Sequence, residues 1–188
     1  MTPSPRTQPS APQPDGIAPP APSQEQSVHW LTPEEQRAWR TFWYTTSRIH
    51  EQLSRALETR PGVNLTLAEY EILVRLSEGE NKRARMSELA EHVLHSRSRL
   101  THTVARLEKR GLVTRERCRE DRRGREAVLT PQGLALIETA APVHVQSVRD
   151  QLVDVIGGHR LLTLADILTE LLDEDERAEI NSIGADRA

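Results

Sequence analysis

Apolar residues recur at helical spacing through most of the chain, beginning with Trp39, Phe42, Trp43, Ile49, Leu53, Ala56 and Leu57. Thr32, Pro33, Glu34 and Glu35 open this stripe with a capping hydroxyl, a proline at the first helical position and acids at the positive end of the dipole. Pro61-Gly62 closes it, so the pattern predicts a helix of about 25 residues. Thr66 with Glu69 is a capping box. It opens a second helix that buries Leu67, Tyr70, Leu73, Val74 and Leu76 and stops near Gly79. Arg85-Met86 reads as a short extended link, and Ser87 as the cap of a short helix from Glu88 to Val93 or Leu94. A tight break at His95-Ser96 follows, where Ser96 caps a helix from Arg97 to Arg110. Gly111 stands where a left-handed stop residue is expected.

The period then changes. Leu112 to Cys118 and Glu126 to Thr130 read as two strands, joined by a polar, glycine-containing tip from Arg119 to Arg125. Thr130-Pro131 restarts a helix carried on by Leu134, Ile137, Ala141, Val145, Val148, Leu152 and Val155, which Pro142 is expected to bend. Gly157-Gly158 breaks the chain, and Leu161 to Leu172 forms a last apolar helix before an acidic end expected to fray. Two short helices with a tight turn, followed by a basic hairpin, make a winged helix-turn-helix. The expected fold class is mainly α with a small β-hairpin wing.

Composition narrows the function. Eight of the twelve prolines precede residue 28, in a stretch too poor in apolar residues to offset the entropy of ordering it, so residues 1–27 are expected to be a disordered tail. Cys118 is the lone cysteine, which excludes a disulfide scaffold. No apolar run approaches a membrane span, and the start lacks the apolar stretch of a signal peptide, so a cytoplasmic location is expected. The net charge of −3 hides a segregation. Residues 82–125 hold 14 of the 25 Lys and Arg but 6 of the 28 Asp and Glu, which makes that block +8 and the remainder −11. A basic block in an otherwise acidic chain is a footprint for a polyanion.

The block falls on elements suited to duplex DNA. On the helix from Arg97 to Arg110, Leu100, Val104 and Leu107 lie within about 60° of one another and form a buried face. Ser98, Arg99, His102, Ala105, Arg106 and Lys109 lie opposite. A small, polar first turn with an arginine suits a major groove: Arg99 can take guanine bidentately, and Ser98 and His102 can bond base edges. Arg106 and Lys109, further along, are better placed for phosphates. The tip adds Asp121, Arg122, Arg123 and Arg125 on a loop no core requires. Arginine suits the negative potential of a narrow minor groove, and Asp121 can hold Arg123 extended through a charge-assisted bond. Each feature alone also fits a solvated surface; together with the charge segregation they favour DNA.

Met86-Ser87-Glu88-Leu89-Ala90, the run from Arg106 to Val113, Asp121-Arg122-Arg123 and Leu129-Thr130-Pro131-Gln132-Gly133 occur in an order and spacing that resembles the MarR family of bacterial transcription regulators. The resemblance covers about Thr32 to Leu172. It implies a homodimer whose first and last helices interlock, each winged lobe taking a half-site of a pseudo-palindrome. It puts base contacts on Ser98, Arg99, Thr101 and His102, the phosphate contact on Arg106, and the minor-groove arginine on Arg123 with Asp121 orienting it. The domain expectation follows: a helical dimerisation domain from 28–62 and 131–175, a winged lobe from 63–130, and a frayed acidic end from 176–188. The excess of apolar surface at both ends of the chain supports a dimer independently. So does the footprint of one lobe, roughly 600–1,000 Å², which is small for tight specific binding.

The resemblance further implies a small effector, an aromatic or phenolic anion, bound between the two domains. Trp39, Trp43, His50 and Tyr70 are the candidate lining residues, although an aromatic stripe equally serves a core or a subunit interface. Cys118 leaves open a redox-sensing regulator, since neighbouring arginines favour a thiolate. His92, His95 and His144 do not make a zinc set, and no cofactor is expected. The sequence has no Gly-rich phosphate loop, nucleophile elbow, HExxH motif or paired carboxylates suggesting an enzyme. A winged-helix protein-interaction module is the remaining alternative, against which Arg99 and Arg123 stand.

Overall fold

A computed structural model of the chain describes residues 28–92, 97–118 and 124–182. Expectations for the tail at 1–27, the turn with its Ser96 cap, the tip residues Asp121, Arg122 and Arg123, and the last six residues lie outside these. The helices are α1 (Pro33–Thr59), α2 (Leu67–Glu78), α3 (Met86–His92), α4 (Arg97–Lys109) and α5 (Pro131–Val148), followed by α6 (Asp154–Ile156), α7 (Gly158–Thr169) and α8 (Glu174–Ser182). The strands are β1 (Arg83–Arg85), β2 (Val113–Arg117) and β3 (Arg125–Leu129). They form an antiparallel sheet in the order β1-β3-β2.

The local signals act as their chemistry requires. The Thr66 hydroxyl accepts from the Glu69 N–H at 3.2 Å, and the Glu69 carboxylate accepts from the Thr66 N–H at 3.0 Å. This box fixes where α2 starts. Gly111 takes φ +71° to end α4, a conformation that costs a side chain energy. Leu57, Leu65, Ile72, Leu73 and Leu76 meet Leu89 of α3 and Leu100, Val104 and Leu107 of α4 in one buried core, closed by Val113, Ala127 and Leu129 of the sheet. Ile137 and Ala140 extend that core onto α5.

One joint brings α4, β3 and α5 together. The Thr130 hydroxyl donates to the Gly111 carbonyl at 2.7 Å, accepts from the Gly133 N–H at 3.0 Å and so caps α5. The Thr130 N–H donates to the Leu112 carbonyl at 3.1 Å. Gly133 packs so close that a Cβ there would stand 2.2 Å from the Leu112 carbonyl oxygen and 2.7 Å from Leu129 Cδ1.

Four local expectations need correction. The sheet has a third strand, since Arg83–Arg85, of which only Arg85 falls in the expected link, pairs with residues 126–128 of β3. Ser87 does not cap α3, which starts at Met86 directly from β1; the Arg85 N–H donates to Glu88 Oε2 at 3.1 Å instead. α5 runs with Pro142 inside it to Val148, but the regular helix expected to continue to Val155 gives way there to a π turn at Arg149–Val153. The expected frayed end holds α8, because Asp173 and Glu176 form a reciprocal cap, with both bonds at 2.9 Å, and acids crowd the first turn. No helix among the described residues is long and apolar enough to cross a membrane.

Candidate nucleic-acid interface

α4 carries the candidate contacts because its two faces differ. Leu100, Val104 and Leu107 are buried, as their spacing predicts. Ser98, Arg99, Thr101, His102, Arg106 and Lys109 are exposed. Thr103 is also buried, its hydroxyl donating to the Arg99 carbonyl at 3.0 Å rather than competing for solvent. The structure therefore gathers all five of the predicted helix contacts on the solvent side of one element.

The sheet is fastened to that helix. Arg115 of β2 donates from Nε to Glu108 Oε2 of α4 at 2.9 Å, with a second bond from its terminal nitrogen. The bonds from Arg115 hold the Glu108 carboxyl below its ordinary pKa of 4.5. Arg125 is exposed at the start of β3 and pairs in register with Arg117, so two arginines stand side by side at the base of the tip. Arg83 of β1 bonds Glu126 at 3.2 Å and lies 3.6 Å from Glu116, spanning the sheet.

Arg106 has a partner within the chain that sequence reasoning missed. Its Nε donates to Glu69 Oε1 at 3.2 Å, while Arg110 donates to Glu69 Oε2 at 3.4 Å and to the Val63 carbonyl at 3.4 Å. The Glu69 side chain is 6% exposed, that of Arg106 56%. The capping-box spacing signals the local role of Glu69. Nothing in a linear pattern signals a pairing with residues 37 and 41 positions later.

The four candidate effector residues do not share one environment. Trp39 and Trp43 are exposed on α1 with ring centroids 5.8 Å apart, and His50 is exposed on the same helix. Tyr70 is buried and lies 4.6 Å from the ring of His144 on α5. His144 Nδ1 is buried without a hydrogen-bond partner, and that burial lowers its pKa from the ordinary 6.5. A cavity of about 360 Å³ between α1 and α5 is lined by Ala56, Arg60, Pro142, Val143, Gln146, Ser147 and Asp150, none of the four candidates. Among the described residues no three His, Cys, Asp or Glu side chains are grouped to hold a metal ion.

The MarR family model matches residues 63–124, the stretch from the end of α1 to the wing. AbsC, a MarR family transcriptional regulator from Streptomyces coelicolor, is 43% identical over 77% of this chain and 95% of its own, with a TM-score of 0.72. Sco3205, a MarR family transcriptional regulator from the same organism solved in complex with DNA, is 37% identical over 78% of this chain and 90% of its own, with a TM-score of 0.73. BpsR of Bordetella bronchiseptica shares the fold at 18% identity over 76% of this chain and 96% of its own, with a TM-score of 0.65. No curated protein matches the chain. With its winged helix and an identity of this size spanning nearly all of AbsC, the chain belongs to the MarR family, whose members are transcription regulators and not enzymes.

Proposed function

We propose that this chain is a ligand-responsive repressor that binds a pseudo-palindromic operator in duplex DNA as a homodimer. The observation that carries the reading is the exposed face of α4, where Ser98, Arg99, Thr101, His102 and Arg106 stand opposite Leu100, Val104 and Leu107. A helix so divided enters a major groove while its apolar side stays in the core. Ser98, Arg99, Thr101 and His102 reach base edges, and Arg106 takes a phosphate. Beside them the tip places Arg123 in the minor groove, oriented by Asp121, with Arg122 and Arg125 adding positive charge. The MarR relative Sco3205 was solved in complex with DNA.

The dimer rests on unmatched apolar surface. Trp39, Trp43 and Tyr44 of α1 are more than half exposed, as are Leu162 and Ile167 of α7. Large apolar patches on a soluble chain mark contact surfaces. Two copies set their α4 helices about one DNA turn (roughly 34 Å) apart, which matches two half-sites. Repression follows when such a dimer occupies a promoter.

The effector is an aromatic or phenolic anion; of the four candidate residues Trp39, Trp43 and His50 are exposed on α1 and can meet it, whereas Tyr70 is buried against His144. The DNA binding of BpsR, a protein of the same fold, is regulated by 6-hydroxynicotinic acid. The Cys118 alternative is disfavoured by burial: the thiol is 5% exposed, and redox sensing needs an accessible sulfur.

The test is a gel-shift titration against a duplex from upstream of the chain's own gene, run over a range of salt. The expected affinity falls steeply with salt, with a logarithmic slope of about −0.9 per phosphate contact. Binding indifferent to salt, or none, overturns the reading.

A further inference from the structure

Glu69 is the one acid buried within the winged lobe among the described residues, and its surroundings exceed what a helix cap needs. A cap requires a single bond to the Thr66 N–H. Here the same carboxylate also accepts from Arg106 and Arg110, at 3.2 and 3.4 Å. Burying a carboxylate is costly unless charges and donors surround it, and these two guanidinium groups supply both. Arg106 lies in the last turn of α4 and Arg110 directly follows that helix, so the carboxylate ties the first turn of α2 to the end of α4. Arg110 completes the clamp through the Val63 carbonyl.

The two arginines are held differently. Arg110 is one-third exposed and bonds two partners on the α2 side. Arg106 bonds Glu69 through Nε and leaves more than half its side chain in solvent, on the face shared with Arg99 and His102. A guanidinium gripped at Nε has lost most of its rotamer freedom before it meets a phosphate, so less entropy is lost on binding. We infer that Glu69 is a positioning residue for DNA: its buried carboxylate presets Arg106 for the phosphate backbone and fixes the end of α4 against α2. This rests on the DNA-binding reading above and assigns a residue that does not touch DNA.

The test uses the full chain and a fluorescein-labelled duplex from upstream of its own gene, read by anisotropy over a salt series. Glu69→Gln keeps an acceptor for the Thr66 N–H and removes the charge that grips the arginines. It is expected to bind about tenfold more weakly with the salt slope of the wild type, because Arg106 still reaches the phosphate but is no longer preset. Arg106→Ala lowers the slope by about one per half-site. In that background, Glu69→Gln is expected to cost nothing further. Arg106→Lys keeps the charge without the Nε grip and is expected to lose as much as Glu69→Gln, which decides the matter if Glu69→Gln fails to fold. Thr66→Ala weakens the same helix start without touching the arginines and is expected to bind as the wild type does.

Wild-type or tighter binding by Glu69→Gln and Arg106→Lys overturns the inference. So do additive losses in the double variant, or an equal loss from Thr66→Ala. Failure of the wild type to bind overturns the DNA-binding reading itself and is seen before any variant is compared.

Discussion

The winged lobe and the helices flanking it bury their apolar residues differently. From Val63 to Leu129 the large aliphatic side chains meet each other within one chain: Leu65, Ile72, Leu73, Leu76, Leu89 and Leu107 are each fully buried. In the flanks, Trp43 is 61% exposed, Leu162 67% and Leu171 78%. The lobe's core is complete. The flanks carry apolar surface that the other described residues do not cover. The contrast predicts that the lobe owes its stability to itself, whereas the flanks owe theirs to a second surface.

The largest effect expected is on the flanks. Trp39→Asp with Trp43→Asp should convert the protein to a single 21.3 kDa subunit in analytical ultracentrifugation. Operator affinity should fall about 10²–10⁴-fold, because two linked half-sites become independent. An unchanged sedimentation coefficient would remove these tryptophans from the interface. In the lobe, Leu107→Ala should cost about 2–5 kcal/mol in urea unfolding, by opening a cavity in a closed core. That loss should not depend on protein concentration, whereas a stability loss from the flank variant should.

On the DNA-facing side, Arg99→Ala should cost roughly 1–3 kcal/mol at one base pair per half-site, seen as a relaxed preference in a substituted-duplex panel. Arg123→Ala should weaken binding to every duplex while the dimer persists. A base profile unchanged by Arg99→Ala would mean that α4 meets the groove on another face.

The smallest effect concerns His144, where a flank helix meets the lobe. Its folded-state pKa is lowered by desolvation from the ordinary 6.5, so the folded state favours the neutral ring. The unfolded chain therefore binds the proton more readily, and stability is full above about 6.5 and declines as pH falls below it. His144→Phe keeps a ring against Tyr70 and should flatten the acid side of a melting-temperature profile. A profile as steep as that of the wild type would assign the acid sensitivity to other groups.

Much of the architecture is legible in the sequence because its signals are local. Thr66-Glu69, Thr130-Pro131 and Gly111 each satisfy backbone groups within a few residues, and each acts at the expected position. The buried stripe of α4 follows from spacing alone. β1 was illegible because three residues are too few to display a strand period, and its partner lies more than forty positions away. The π turn has no residue signature, and the capping box of α8 sits inside a run of acids that reads as solvated tail. At the interface, the exposed residues of α4 could be read from the helical wheel. The grip of Glu69 on Arg106 could not, because it depends on how two helices cross.

The bare Cα of Gly133 has a mechanical consequence. With the Thr130 hydroxyl bonded to the end of α4 and the start of α5 in direct van der Waals contact with Leu112 and Leu129, this corner has no slack. α5 is therefore joined to α4 as a welded lever arm and not through a swivel. A load applied along that arm would turn α4 and α5 together, and the rod's hydrogen-bond ladder changes only farther along, at the π turn of Arg149–Val153.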